Sequence, residues 1–142
     1  MADEWIKGEY VISTDPARLD IAMIHGYLSG SAYWAMGRPI DTVRRSIENS
    51  LPFGVYKGPT QIGFARAVTD YATFAWLCDV FVDSSHRGHG AGSFLVRTAI
   101  THPAVRDLRQ VLATQPGRSL YRRHGYDELA SPERWMERPS SG

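Results

Sequence analysis

Apolar residues in the first third of the chain follow strand spacing and then helical spacing. β-Branched and aromatic residues from Trp5 to Ile12 predict a strand. Asp15-Pro16 is typical of a helix start, with Asp as the N-cap and Pro at the first helical position, and Gly30 is expected to end that helix. After a loop over residues 31–39, a second helix is predicted near Asp41 because apolar residues recur at helical spacing: Ile40, Val43, Ile47 and Leu51.

The middle of the chain predicts a hairpin followed by a buried strand. Two apolar-rich segments, 53–57 and 61–68, flank the turn Gly58-Pro59. A second turn around Asp70 leads into residues 74–82, which are apolar on both faces except for Asp79. Such a composition suits a central strand that is covered on both sides.

Strands and helices alternate in the second half of the chain. A helix is predicted from about Gly90 to His102, a short strand over residues 111–114, and a fourth helix over residues 116–124. A last strand is predicted near Trp135-Met136. This order predicts an α/β or α+β fold with a mixed sheet.

Length and charge narrow the class of protein without indicating a reaction. The chain has 142 residues, which predicts one domain over residues 1–142, with 138–142 as a frayed tail. Hydrophobic residues make up 43% and charged residues 22%, as in ordinary globular proteins. The formal net charge of +1 argues against a nucleic-acid-binding protein, which usually carries a strongly basic face.

Cysteine and histidine usage predicts that there is no metal site. The single cysteine, Cys78, excludes an internal disulfide and a zinc site built from several cysteines, and the five histidines lack metal-ligand spacing. The longest apolar run near the middle, Phe74–Cys78, is far shorter than the roughly 18 residues of a membrane helix. Since the acidic start of the chain also lacks the features of a signal peptide, a cytoplasmic protein without membrane partners is expected.

A glycine-rich segment joins the buried strand to the third helix, and we call residues 87–93 the glycine turn. Its glycines remove side chains where the backbone must turn and expose its N–H groups: Gly88, Gly90 and Gly92. Consecutive N–H donors at a helix N-terminus bind anions. The glycine spacing fits neither the dinucleotide fingerprint nor the P-loop. A phosphate or pyrophosphate cradle is therefore predicted, with a plain tight turn as the alternative.

Three stretches together resemble a known enzyme family. The strand ending in Val-Phe-Val, followed by Arg-Gly-x-Gly-x-Gly at a helix start, resembles the acetyl-coenzyme A motif of the GNAT superfamily of N-acetyltransferases. Residues 53–68 resemble the second and third strands of that family, and Leu120-Tyr121 with Gly125-Tyr126 resembles its late helix. The resemblance covers residues 5–128. It implies a mixed, mostly antiparallel twisted sheet of about six to seven strands, flanked by about four helices and splayed to admit acetyl-coenzyme A.

The resemblance also implies how the coenzyme is held. Backbone amides of the glycine turn are expected to bind the pyrophosphate, and the pantetheine arm is expected to lie beside the strand, in a sheet opening next to residues 111–114. Arg87 either adds a charged contact or points to solvent. The expected coenzyme-binding residues are Val80, Phe81, Val82, Arg87, Gly88, His89, Gly90, Ala91, Gly92 and Ser93.

The family's chemistry is direct attack of a neutral amine on the thioester in a ternary complex. Tyr121 matches the tyrosine that protonates the departing thiolate in the family, although it could instead be a packing residue. The positions where relatives carry a base hold Trp76 and Cys78 here. Asp79 is expected on the opposite sheet face by strand alternation, and Cys78 as a small buried side chain, so no base is assigned.

The acceptor pocket of the family lies between the first two helices, their connecting loop and the coenzyme strand. Tyr33 and Trp34 in the loop, together with Trp76 on the strand, are therefore expected to contact the acceptor. The two loop aromatics could instead simply attach the loop to the core. The acceptor is expected to be an amine, either a small molecule or a peptide amino group.

Two functions from different classes follow from these observations. The first is an acetyl-coenzyme A-dependent N-acetyltransferase, which the retained Tyr121 favours. The second is a module that binds acyl-coenzyme A as a sensor or scaffold without turnover, which the missing base favours. Neither the acceptor nor the oligomeric state follows from the residues, and the resemblance leaves a homodimer open because dimers are common in the family.

Overall fold

A six-stranded sheet forms the centre of the molecule, and its strands lie side by side in chain order. Neighbouring strands are antiparallel except for the last pair, which is parallel. The structure, a computed structural model, describes residues 3–114 and 116–141. The strands are β1 (Glu4–Lys7), β2 (Tyr10–Ser13), β3 (Leu51–Lys57), β4 (Thr60–Thr69), β5 (Phe74–Val82) and β6 (Arg109–Val111). The helices are α1 (Ile21–Gly30), α2 (Ile40–Glu48), α3 (Ala91–Thr101) and α4 (Arg118–Arg123). This mixed, mostly antiparallel sheet with four helices confirms the predicted fold class.

The sheet separates two hydrophobic cores. One core packs α3, through Leu95 and Ala99, against sheet residues that include Phe53 and Leu77. The other packs α1 and α2 against Phe64 and Phe81, the pair of facing residues on β4 and β5. Each face of the sheet is thus covered by helices. The apolar composition of β5 on both faces, which predicted a central strand, reflects this double covering.

The N-terminal segment differs from the single strand predicted over residues 5–12. The chain forms a hairpin in which Lys7 faces Tyr10 across a turn at Gly8. Gly8 has a φ of 59°, in the left-handed region that glycine adopts without strain. That glycine, placed between two runs of strand-forming residues, allows the reversal that the strand prediction missed.

The helix predicted at Asp15-Pro16 is likewise divided in two. Asp15 does cap a helical start, since its side chain accepts a hydrogen bond from the N–H of Ala17, but the 3₁₀ turn Pro16–Arg18 ends at once. A second cap, Asp20, accepts from the N–H of Met23 and starts α1, which ends at Gly30 as predicted. A sequence with two suitable caps thus forms two helical starts.

A bulge in β5 changes the direction of Asp79. Phe64 on β4 pairs with Phe81 on β5. Arg66, two residues further along β4, pairs with Cys78, which is three residues back along β5, so β5 contains one extra residue between these pairs. Asp79 lies at the irregularity with a φ of 54°. The extra residue breaks the alternation of sides, and the Asp79 carboxylate bonds to Arg66 on the face of α1 and α2. The expectation that Asp79 points to the opposite face is therefore wrong.

The last part of the chain contains less regular structure than predicted. β6 ends at Val111, so the predicted strand 111–114 is mostly irregular. Near Trp135, the described residues form only a 3₁₀ turn, Pro132–Arg134, and the predicted last strand is wrong. Trp135 instead lies against the guanidinium of Arg109 at 4.7 Å. The prolines on either side, which lack a backbone N–H, disfavour ladder pairing there.

Two further predictions concern the chain ends and membrane spans. Residues 138–141 are exposed and belong to no helix or strand, while Gly142 and the first two residues of the acidic start lie outside the described residues. Within the described part, no helix has the length and apolar composition needed to cross a membrane.

Candidate active site

A cleft opens where β5 and β6 part. The two strands pair only from Phe74 to Trp76, so the rest of β5 has no neighbour on that side among the described residues. The resulting space, about 510 Å³, lies between β5 and the segment that leads into α4. It extends from the 31–39 loop at one end to the start of α3 at the other. The sheet opening therefore lies where the family resemblance implied it, between β5 and the segment that follows β6.

The glycine turn places unpaired backbone donors at the α3 end of the cleft. Gly88 and Gly90 have φ values of 83° and 84°, which bend the chain sharply into the helix. The first hydrogen bond of α3 runs from the N–H of Phe94 to the carbonyl of Gly90. Among the described residues, no group accepts from the N–H groups of residues 88–93. These unpaired donors lie at the positive end of the helix dipole, an arrangement that is favourable for an anion.

Arg87 folds back onto the end of β5. Its Nε donates to the carbonyl of Val82 at 3.1 Å, and its terminal nitrogen donates to the hydroxyl of Tyr27 at 2.7 Å. Tyr27 in turn stacks on Phe81, with ring centroids 3.9 Å apart. The guanidinium thus links the glycine turn to α1. These contacts within the protein account for its position, and they do not decide between a coenzyme contact and exposure to solvent.

The other predicted coenzyme-binding residues lie along the same wall. Phe81 and Val82 are buried on opposite sides of the sheet, and Val80 is half-buried. Their backbone edges face the opening, because the pairs Phe64–Phe81 and Gly63–Val82 occupy only the β4 side. An extended ligand arm could therefore lie beside them as an added strand.

Two side chains of the glycine turn point to different surroundings. The His89 side chain is exposed. Ser93 lies at 3.0 Å from Nε2 of His124, at the end of α4. Partial burial, with the charges of Arg123 and Arg97, lowers the pKa of His124. The contact joins the start of α3 to the end of α4.

Tyr121 lines the middle of the cleft. Burial raises its pKa to about 12, and the nearby Tyr33 adds to the rise. Its ring packs edge-on against that of Tyr126, with ring centroids 5.8 Å apart, and no described residue forms a hydrogen bond with the Tyr121 hydroxyl. The phenol is therefore neutral at ordinary pH and has a free donor.

Four side chains converge at the other end of the cleft, and we call them the charged cluster: Trp34, Arg38, Arg66 and Asp79. One carboxylate oxygen of Asp79 accepts from the indole N–H of Trp34 at 2.8 Å. The other accepts from Arg38 at 2.8 Å and from Arg66 at 2.7 Å. The cluster fixes the 31–39 loop to β5 through a carboxylate whose side chain is only 2% exposed.

The surroundings of Asp79 keep it ionised. Burial alone would raise its pKa, but the hydrogen bond and charge of Arg66, followed by Trp34 and Arg38, outweigh burial and hold the pKa below its usual range. Since both oxygens are already bonded, this carboxylate is a poor proton acceptor.

The three aromatic residues that were predicted to contact the acceptor, Tyr33, Trp34 and Trp76, all line the cleft. Tyr33 and Trp34 pack edge to face at 5.1 Å. Trp34 is both anchored through its indole N–H and 41% exposed, so it attaches the loop and still presents ring surface to the cleft. Trp76, on β5, is 43% exposed. The cleft therefore offers aromatic surface beside the charged cluster.

Cys78 has the surroundings of an unreactive thiol. Burial raises its pKa to about 11, although Arg66 partly opposes the rise. The thiol is therefore protonated at neutral pH and does not act as a nucleophile in that form. In the described residues, no group of three or more histidine, cysteine or carboxylate side chains could hold a metal ion.

Sequence reasoning missed Arg38 and Arg66 as site residues. The two arginines belong to different elements, and only the bulge at Asp79 joins them. One available signal was the aspartate itself, because an ionised side chain inside an apolar strand needs charged partners. That signal identifies the need for partners but not which residues supply them.

Comparison with known proteins shows the family of the chain. The model of the acetyltransferase (GNAT) family matches residues 20–126. A protein of Gibberella zeae, named provisionally as an acetyltransferase, is 33% identical over an alignment of 112 positions; the alignment covers 66% of this chain and 63% of that protein.

Solved structures share the fold. A GNAT-family protein from Xanthomonas campestris, also assigned provisionally as an acetyltransferase, has 40% identity and a TM-score of 0.91, covering 95% of this chain and 96% of its own. A Clostridium acetobutylicum protein solved with acetyl-coenzyme A shows the same fold at 12% identity and a TM-score of 0.67, covering 98% of this chain and 96% of its own. With a family match over residues 20–126 and these fold relatives, the chain belongs to the GNAT acetyltransferase family.

Proposed function

We propose that this protein is an N-acetyltransferase that transfers the acetyl group of acetyl-coenzyme A to an amine by direct attack in a ternary complex. The observation that carries the proposal is one continuous cleft with free backbone donors at one end, aromatic and charged side chains at the other, and the free hydroxyl of Tyr121 between them. A binding site for an anionic coenzyme and a site for a second substrate are thus joined.

The protein groups at the α3 end of the cleft suit the chemical groups of coenzyme A. N–H groups of residues 88–93 would bind the pyrophosphate, and the open backbone edge of residues 80–82 would bind the pantetheine arm. Nothing lies within 4 Å of a Cβ placed on Gly88 or Gly90, so the backbone of these two residues is not crowded by other parts of the protein. Bound acetyl-coenzyme A supplies an activated acetyl group, whose carbon bonds to the amine nitrogen as its bond to sulfur breaks.

Tyr121 would supply the proton that the departing sulfur needs. Burial raises the pKa of Tyr121 to about 12, so the phenol carries its proton at neutral pH. The nitrogen proton would pass to water, and water would return a proton to Tyr121. The only carboxylate lining the described part of the cleft, Asp79, is a poor acceptor because Arg66 and Arg38 lower its pKa. The amine must therefore arrive neutral or lose its proton to solvent.

Thiol release from acetyl-coenzyme A, measured over a panel of amines, tests the proposal. Replacement Tyr121→Phe is expected to lower kcat by roughly 10²–10⁴-fold, the usual effect of a lost acid–base group, with little change in coenzyme affinity. Tyr71→Phe is the matched control, because Tyr71 is 57% exposed in the β4–β5 turn and outside the cleft. Unchanged turnover in Tyr121→Phe would make Tyr121 a packing residue.

The missing base supports one alternative function. A GNAT module that binds acyl-coenzyme A as a sensor or scaffold needs the coenzyme site but no proton acceptor. Tight binding of acetyl-coenzyme A by the wild-type protein, without thiol release stimulated by any amine of the panel, would favour that alternative.

A further inference from the structure

The charged cluster carries more positive than negative charge. Two guanidinium groups, Arg38 and Arg66, share the single carboxylate of Asp79. Each guanidinium has five N–H donors. Arg38 donates once to Asp79, while Arg66 donates to Asp79 and to the hydroxyl of Ser50. Several donors of each arginine therefore have no protein acceptor among the described residues.

These arginines border the cleft and have limited access to water. The side chain of Arg38 is 21% exposed and that of Arg66 is 12% exposed. Among the described residues, no nitrogen of either guanidinium is both buried and unpaired, so the donors that lack a protein acceptor reach the solvent of the cleft, where a ligand can accept from them. The geometry therefore suits an anionic ligand group better than a neutral one.

Among the residues that the structure describes, no second negative side chain lines this end of the cleft. Apart from Asp79, the charged residues that line the cleft in the described ranges are arginines, and Arg87 is bound at the opposite end to Val82 and Tyr27. A polyamine or a lysine-rich peptide would meet net positive charge here. Such a site selects against cationic acceptors.

We propose that the acceptor is a primary amine that also carries a carboxylate, which binds Arg38 and Arg66 while its apolar body packs on Trp34 and Trp76. The inference rests on the proposed function, because it names the substrate class of the same cleft. The planar carboxylate matches the fork of a guanidinium, and the two exposed indole rings supply flat apolar surface beside it.

A binding experiment tests the carboxylate without requiring turnover. The coenzyme-loaded protein is titrated with 3-phenylpropionate and with 3-phenylpropionamide, and the indole N–H resonance of Trp34 is followed by NMR. The carboxylate is expected to bind about tenfold or more tightly than the amide, as for a charge-assisted contact. Arg38→Gln should remove that preference, whereas Arg44→Gln, which changes a 55% exposed arginine of α2, should keep it.

Equal binding of the two probes, or a preference that survives in Arg38→Gln, would overturn the inference. If Arg38→Gln is poorly folded, Arg38→Lys serves instead, since it keeps the charge but loses the fork, and a partial loss of preference is then expected.

A turnover experiment separates this inference from the proposed function. The ratio kcat/KM is measured for phenylalanine and for phenylalaninamide, and phenylalanine is expected to be favoured about tenfold or more. Transfer that favours the amide would overturn the inference and leave the acetyltransferase function standing. Carboxylate-selective binding without transfer to any amine would support the anion site and contradict the proposed function.

Discussion

At the α3 end of the cleft, the groups available to a ligand are backbone N–H groups of the glycine turn, whereas at the opposite end they are side chains of the charged cluster. The first set comes from adjacent residues and depends on left-handed conformations at Gly88 and Gly90. The second comes from distant positions and depends on one buried carboxylate, Asp79. The two ends should therefore respond differently to substitution. A backbone site is disturbed by adding a side chain, and a side-chain site by removing a charge.

The largest effect is expected from Asp79→Asn, at the side-chain end. The change leaves Arg38 and Arg66 in a half-buried site without their counter-charge. Loss of one partner from such a cluster is expected to lower the free energy of unfolding by about 2–4 kcal/mol. Urea unfolding measures the change, and Asp41→Asn is the control because Asp41 is 92% exposed beside Arg44 and should alter stability by less than about 0.5 kcal/mol.

The pH dependence of stability gives a second measure of the same carboxylate. The pKa of Asp79 is lower in the folded protein than in the unfolded chain, where it is about 3.9. The unfolded chain therefore takes up this proton first as the pH falls, so the stabilisation is complete above that value and is lost on acidification. The difference in unfolding free energy between wild type and Asp79→Asn should shrink below about pH 4. A difference that stays constant down to about pH 2.5 would contradict the ionised cluster.

A smaller effect is expected from Gly90→Val, at the backbone end. Gly90 has a φ of 84°, which a β-branched residue resists, and the valine would stand beside the free N–H groups. Coenzyme A is expected to bind about 10–100-fold more weakly, as measured by calorimetry.

Gly58→Val separates backbone strain from the loss of a binding site. Gly58, in the β3–β4 turn, also has a positive φ of 58° and open space around an added Cβ. The Gly58→Val variant should lose about as much folding stability as the Gly90→Val variant, but it should keep the coenzyme affinity of the wild type. Equal coenzyme affinity in the two variants would remove the pyrophosphate site from the glycine turn.

The same contrast explains which parts could be predicted from the sequence. The glycine turn and β5 were predictable because residue type at consecutive positions determines them: glycine spacing for the turn, and apolar residues on both faces for the strand. The charged cluster was not, since a bulge of one residue reverses the side on which Asp79 emerges. Strand alternation places the Asp79 carboxylate on the wrong face. Without that carboxylate between them, nothing in the sequence indicates that Arg38 and Arg66 lie close together. The N-terminal hairpin was missed in a similar way, because one left-handed Gly8 reverses the chain.

The smallest effect is expected at Cys78, which lies within the side-chain end but outside the charged cluster. Burial raises the pKa of its thiol to about 11, so little thiolate exists at neutral pH. Cys78→Ala should change turnover by less than about threefold, and no acetylated protein should be detected by mass spectrometry during the reaction. A covalent acetyl group on Cys78 would instead mean that transfer proceeds in two steps.

The alkylation rate of Cys78 in the wild-type protein tests the same assignment without an acceptor. Because the raised pKa reduces the thiolate, iodoacetamide should react about 10²-fold more slowly at neutral pH than with an ordinary thiol of pKa about 8.5. The rate should rise about tenfold per pH unit and continue to rise above about pH 9, where an ordinary thiol levels off. A plateau near pH 8.5 would mean that the thiol is exposed to water rather than buried. In that case the arginines would also be better hydrated, and the preference for an acceptor carboxylate should weaken with them.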